Sequence, residues 1–163
     1  MEKFTGKVWL LGDDIDTDII MPTEYLVFKT IEEMKPYAFS PLRPELAAQI
    51  RPGDIIVAGK NFGCGSSREQ APEVVKALGL RCVIAKSFAR IFFRNAINNG
   101  LLLIENADLA DFVKEGEEIT VTVNEKIECR GKEFPIVSLP DNLVEIINAG
   151  GLVKAMRKRN GLD

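Results

Sequence analysis

Two hydroxyls and a guanidinium stand side by side at Ser66-Ser67-Arg68, directly after Gly63-Cys64-Gly65. Glycines at 63 and 65 permit positive φ and let a ligand come close to the backbone. Arg68 offers a planar fork of donors matched to a carboxylate. The run Asp54-Ile55-Ile56-Val57-Ala58-Gly59 before them reads as a buried strand. Glu73-Val74-Val75-Lys76-Ala77-Leu78 after them reads as a helix closed by Gly79. Ser66 with Glu69, and Ser67 with Gln70, match capping-box spacing. This spacing predicts that the group sits at a helix N-terminus, whose free amides attract an anion. The combination suits a small acid. The plain alternative is a capped helix after a tight turn, with Arg68 in solvent.

The second group with chemical potential is Gly12-Asp13-Asp14-Ile15-Asp16-Thr17-Asp18-Ile19-Ile20-Met21-Pro22, with four aspartates within six positions. Asp13 and Asp16 are expected to make Asx turns, bonding nearby amides. Asp18 abuts Ile19-Ile20 and is expected to be partly buried, which requires a partner; Arg68 is the candidate. The sequence has no histidine. Proton transfer by this chain would therefore fall to Ser, a carboxylate, Lys or Tyr. Cys64, Cys82 and Cys129 are odd in number and far apart, so they make neither a disulfide framework nor a ligand cluster. Cys82 reads as core, Cys129 can face either way, and Cys64 reads as a small packed residue. A reaction needing a redox or Lewis-acid metal would take that metal from a partner.

These groups need a scaffold, and 163 residues suffice for one domain with a substantial core. A hydrophobic fraction of 46% and a charged fraction of 28% are those of a globular protein. A net charge of −3 gives no reason to expect nucleic acid or an anionic membrane as partner. No apolar run reaches the roughly 18 residues of a membrane span. Met1 to Gly6 shows no signal-peptide core, so the cytoplasm is the expected compartment.

Lys7 to Leu11 reads as a first strand; Thr23 to Thr30 is too apolar for a solvated loop yet only weakly patterned for a strand, and is suited to pack as core or line a pocket. Short helices are expected over Ile31 to Tyr37 and Pro44 to Ile50. Ala71, Val74, Val75 and Leu78 make one apolar helix face. Arg81 to Lys86 and Leu101 to Glu105 read as further strands, separated by a helix from Ser87, its expected cap, to Gly100. On that helix Arg90 and Arg94 share a face; they suit a substrate carboxylate, a partner or solvent. The repeated strand–turn–helix pattern argues a parallel core. Glu118 to Val123, Lys126 to Cys129 and Glu133 to Val137 then predict an antiparallel meander. A helix from Asp141 to Ala149 resumes after Gly150-Gly151, with Lys154, Arg157, Lys158 and Arg159 near its C-terminus.

Four segments together resemble the small subunit of 3-isopropylmalate dehydratase, equivalent to the swivel domain of aconitase. They are Gly12 to Ile20, Asn61-Phe62-Gly63-Cys64-Gly65-Ser66-Ser67-Arg68-Glu69, Lys86-Ser87-Phe88-Ala89-Arg90-Ile91-Phe92 and Arg94-Asn95-Ala96-Ile97-Asn98-Asn99-Gly100. The resemblance spans essentially the whole chain. It implies one α/β swivel domain over residues 1–163, a three-layer β/β/α arrangement with a mixed sheet. It implies that a separate large subunit carries a 4Fe–4S cluster, that this chain binds no cofactor or metal, and that the active site forms between the two chains. The implied reaction interconverts 2-isopropylmalate and 3-isopropylmalate, hydroxy-dicarboxylates of leucine biosynthesis, by removing and re-adding water. In it Ser66 is the base, Arg68 grips a carboxylate helped by Ser67, and Asp18 belongs to the same site. Gln70 departs from the histidine commoner in the family.

Tyr25-Leu26-Val27-Phe28 bears on substrate choice. Relatives that take an extra carboxylate, such as homoaconitate, carry arginine where Val27 stands. An apolar Val27-Phe28 wall suits a branched alkyl group and leaves such a carboxylate unpaired; the alternative is that Val27 is core. Citramalate or 2,3-dimethylmalate would fit the same wall. A non-catalytic anion-binding module and a subunit with a vestigial site are the readings from other classes.

Overall fold

The computed structural model describes residues 2–161. Its frame is a mixed seven-stranded sheet in the order β4-β3-β2-β1-β5-β6-β7. Strand β1 (Lys3–Leu10) belongs to both halves. Lys3 to Lys7 pair antiparallel with β5 (Glu118–Thr122), and Val8 to Leu10 pair parallel with β2 (Ile55–Ala58). β3 (Cys82–Ala85) and β4 (Leu102–Glu105) extend the parallel half; β6 (Lys126–Cys129) and β7 (Lys132–Pro135) extend the antiparallel half. The change of partner falls between Lys7 and Val8, just after Gly6, where a Cβ would overlap the Gly53 carbonyl oxygen.

Period-two alternation assigns each strand residue to one of two cores. Val8, Ile55, Val57, Cys82, Ile84, Leu102 and Ile104 face Ile119, Val121, Ile127, Cys129 and Phe134, so one core lies between the two halves of the sheet. Trp9, Ile56, Ala58, Val83, Ala85 and Leu103 point the other way, onto the helices. Those helices include α1 (Thr17–Ile20), α2 (Ile31–Met34), α3 (Leu46–Gln49), α4 (Gln70–Ala77) and α5 (Arg90–Asn98). α6 (Leu109–Phe112) follows β4 and sends Leu109 into the inter-sheet core. α7 (Asp141–Ala149) and α8 (Leu152–Arg159) close the chain, Leu143 and Ile146 of α7 packing on the helical core. The expected three layers, with parallel core and antiparallel meander, are therefore present.

Locally the structure departs from the sequence reading in several places. The aspartate-rich stretch holds a helix, α1, because Asp16 caps it by accepting from the Ile19 amide at 2.9 Å. Thr23–Val27 is a 3-10 turn and not a strand. Ser87 does not cap α5, which begins at Arg90 after Ala89. Ser66 and Ser67 do not cap α4, whose first residue is Gln70. Pro72 falls in that first turn, where its missing N–H costs no hydrogen bond.

Candidate active site

The loop after β2 is bonded on both sides by neighbouring loops. On one side Gly59 N donates to Gly12 O (3.0 Å), Asp14 N to Lys60 O (2.8 Å), Gly63 N to Ile15 O (2.7 Å) and Thr17 N to Cys64 O (2.9 Å). Asp13 adds a carboxylate contact, accepting from Lys60 N at 2.7 Å, and Asp14 accepts from Asn61 Nδ2 at 3.1 Å. Asp13, Asp14 and Asp16 thus hold the two loops and α1 in shape; Asp16 bonds a nearby amide as expected, whereas Asp13 makes no local turn and bonds the amide of Lys60 on the other loop. On the other side Ser87 Oγ accepts from Asn61 N at 2.8 Å, and Phe62 N donates to Ser87 O. The loop continues the parallel sheet past its carboxyl edge, so its backbone is set by pairing and not by a helix cap.

Gly63 and Gly65 adopt φ of +85° and +94°. At Gly63 the Phe92 ring packs against the Cα, so a Cβ would overlap it. Ser66 follows this double turn. Thr17, 3% exposed, donates its hydroxyl to the Ser66 carbonyl at 2.8 Å and fixes that peptide. Ser66, Ser67 and Arg68 then line a cavity of about 240 Å³ with Thr17, Gly65, Arg90, Phe92 and Asn95.

Arg68 is held by three neighbours. Nη1 lies 2.7 Å from Asp18 Oδ1 and donates to Met21 O at 2.9 Å; Nη2 donates to Thr23 Oγ1 at 2.8 Å. Thr23 in turn donates to Asp18 Oδ1 at 3.0 Å, closing a ring of polar atoms around one end of the guanidinium. The hydrogen bond from Arg68, with a second from Thr23, holds the Asp18 carboxyl below its ordinary range. The expected Asp18–Arg68 pair is present, but Asp18 is not the buried member. Its side chain is 66% exposed and that of Arg68 14%. The apolar Ile20 goes into the core and leaves Asp18 facing outward.

Tyr25, Leu26, Val27 and Phe28 are absent from the residues lining this cavity. Tyr25 stacks on Tyr37 (centroids 4.1 Å) and more distantly on Phe28 (6.3 Å), while Leu26 packs against the helical core. Val27 is 80% exposed, so it is not core. Thr17 and Thr23 are not among the site residues expected from the sequence; Arg90, named there with Arg94 for a substrate carboxylate, a partner or solvent, lines the cavity. For the threonines the signal was their position, each within five residues of an aspartate that the motif includes.

Burial, with Asp16 and Asp14 nearby, raises the Cys64 thiol, and burial pushes Cys82 up to about 12. Both stay protonated at neutral pH. Cys82 and Cys129 are buried in the inter-sheet core, and no group of three or more His, Cys, Asp or Glu among the described residues is placed to hold a metal ion. Among the described residues the three cysteines are not gathered as the ligands of one cluster would be. Among the described residues no helix is long and apolar enough to cross a membrane.

The aconitase C-terminal domain family matches residues 32–109. A 3-isopropylmalate dehydratase small subunit from Lachnospira eligens is 81% identical over 162 residues, covering 99% of each chain. The 3-isopropylmalate dehydratase small subunit 1 of Archaeoglobus fulgidus is 49% identical over 160 residues, 94% of this chain and 99% of its own. A crystal structure of 3-isopropylmalate dehydratase from Methanocaldococcus jannaschii superposes with a TM-score of 0.93 at 39% identity, covering 99% of this chain and 97% of that one.

Proposed function

The chain belongs to the family of 3-isopropylmalate dehydratase small subunits, and from that premise we propose how its residues divide the work of this hydro-lyase. The observation that carries the reading is the convergence of Ser66, Ser67 and Arg68 on one cavity, with Arg68 held by Asp18 and Thr23. Residues 1–163 act as one swivel domain in the cytoplasm, docked on a large subunit that completes the site. The 4Fe–4S cluster belongs to that subunit and supplies a Lewis acid for the substrate hydroxyl.

Ser66 Oγ takes the carbon-bound proton of 2-isopropylmalate. The electron pair of that C–H bond becomes the C=C bond as the hydroxyl leaves the neighbouring carbon. Rehydration with the positions exchanged gives 3-isopropylmalate. A serine hydroxyl is a weak base unless its anion is stabilised. With α4 starting only at Gln70, the full positive charges on the cavity wall are Arg68 and Arg90. Arg68, aided by Ser67, binds one substrate carboxylate; Asp18 serves the site by holding the guanidinium. Tyr25, Leu26, Val27 and Phe28 meet the isopropyl group once the large subunit covers them. The 80% exposure of Val27 in the single chain supports a surface awaiting cover.

The test is isomerisation of 2-isopropylmalate by this chain with and without a cluster-bearing large subunit. Turnover is expected only with both. Ser66→Ala is expected to assemble normally and lose about two to four orders of magnitude in kcat. Turnover by the single chain, or near-normal activity of Ser66→Ala, would refute the assignment.

A further inference from the structure

Ser66 follows a turn built on two glycines with positive φ. Glycine restrains its own dihedrals least of all residues, so contacts from outside the turn must fix where the serine points. The contact made to Ser66 itself comes from the Thr17 hydroxyl, which donates to the Ser66 carbonyl at 2.8 Å. We infer that Thr17 is a positioning residue for proton removal: through the Ser66 peptide it holds the Ser66 hydroxyl where it meets the carbon-bound proton. This rests on the reading of Ser66 as the base.

Three observations support it. First, among the described residues Ser66 has no other hydrogen-bond partner, on its backbone or its side chain. Nearby residues of the loop have anchors of their own: Gly63 N donates to Ile15 O, and Arg68 is held by Asp18, Met21 and Thr23.

Secondly, the bond is one of a pair. Thr17 N donates to Cys64 O at 2.9 Å, so one residue pins the carbonyls on both sides of Gly65. With those two points fixed, the Gly65 dihedrals have little room to turn, and Ser66 follows them. A Cβ on Gly65 would lie 3.5 Å from Thr17 Oγ1, so Thr17 rests against the turn itself.

Thirdly, packing does not call for the hydroxyl. Thr17 is 3% exposed, and valine would fill the same branched shape without burying a polar group. Thr17 stands directly after Asp16, the cap of α1, which fixes its backbone. From there its hydroxyl reaches a residue 49 positions away on the same cavity wall. A polar group kept where shape alone would favour an apolar one is expected at a site of function.

The experiment uses the assembled two-subunit enzyme, purified as the complex and assayed below the melting temperature of each variant. Thr17→Val keeps the shape and removes the donor; Thr17→Ser keeps the donor. For each, kcat and KM for 2-isopropylmalate are measured, with the primary deuterium isotope effect on kcat from substrate deuterated on its methylene carbon. Thr17→Val is expected to lose about 10- to 100-fold in kcat, the scale of a displaced reacting group, with KM within about 3-fold of wild type, since uniform binding is untouched. Its isotope effect should be at least as large as that of the wild type, because proton removal is the step slowed. Thr17→Ser should recover most of the loss. The inference is overturned if Thr17→Val turns over like the wild type, or if its loss appears in KM. It is equally overturned if the isotope effect shrinks, which places the slowed step elsewhere, or if Thr17→Ser fares no better than Thr17→Val. With Ser66→Ala inactive in the same assay, any of these results leaves Ser66 as the base and removes only the role of Thr17; an active Ser66→Ala overturns both.

Discussion

The two halves of the sheet handle polar side chains in opposite ways. In the parallel half every residue of β2 and β3 is buried, because helices cover one face and the other half-sheet covers the second. Such strands carry no polar side chain along their length, so the chemistry is displaced to their carboxyl ends, where Ser66, Ser67 and Arg68 stand. In the antiparallel half β5 and β6 bury alternate residues only. Its open face takes up polar groups in local pairs: the Thr5 and Thr120 hydroxyls at 2.9 Å, Lys126 with Glu133 at 2.6 Å and Arg130 with Glu117 at 2.6 Å. Much of the charge there is paired on the spot. One half therefore supplies reactive ends and the other supplies mass and closure.

Crossed substitutions test that division. Ser66→Ala gives the largest expected effect on rate, set out above, and should leave the melting temperature within about 1 °C, since its side chain lines a cavity and fills no core. Phe134→Ala should do the reverse. Phe134 is 2% exposed, between the half-sheets, and its loss should cost about 3–5 kcal/mol of stability. At a temperature where the variant remains folded, kcat should be unchanged. Denaturation midpoints and kcat measured on the same samples decide it. A large kcat loss in folded Phe134→Ala would show that the antiparallel half is not merely structural.

Gly63→Ala should blur the division, because it lies where core packing and site geometry meet. An alanine must hold φ near +85° and push its Cβ into the Phe92 ring. The strain should cost about 1–3 kcal/mol. Relief by moving the loop displaces Ser66, so both midpoint and kcat should fall. Loss of stability with intact kcat would mean that Phe92 yields and the serine stays in place.

The same contrast explains what was legible in the sequence. Burial on two faces gives unbroken apolar runs and burial on one gives alternation, so β2 to β6 could be read from period alone, whereas the division into two cores emerges only from the packing of the half-sheets. The Asp18–Arg68 pair was legible because both residues belong to short motifs with complementary charge. The start of α4 was not. Ser66 and Ser67 satisfy a local capping rule, but their loop is fixed by bonds from residues 12–17 and 87, which local spacing cannot reveal. Thr17 and Thr23 were missed for that reason: each acts across nearly fifty residues of sequence, Thr17 on the Ser66 carbonyl and Thr23 on Arg68. Arg90 was seen as a charge on a helix; its place on the cavity wall depends on how α5 packs beside the loop.

The smallest effect sharpens the comparison most. Asp18–Arg68 is an ion pair in the reactive half, yet its carboxylate is largely exposed, so it should matter for orientation and hardly for stability. The pair lowers the folded pKa of Asp18 below 3.8, its ordinary value. A group depressed in this way contributes stability above its unfolded pKa and loses it as pH falls through the folded pKa. The melting-temperature gap between wild type and Asp18→Asn should therefore be small, constant from weakly acidic to neutral pH, and should close only as pH drops below about 3.8. Turnover by Asp18→Asn should be reduced across the whole neutral range, because an uncharged amide leaves Arg68 free to turn towards solvent. A melting-temperature gap that instead widened on acidification would contradict the pairing. A variant with normal turnover would show that Met21 and Thr23 alone suffice to hold the guanidinium, and that the reactive half tolerates a missing charge as easily as the closing half does.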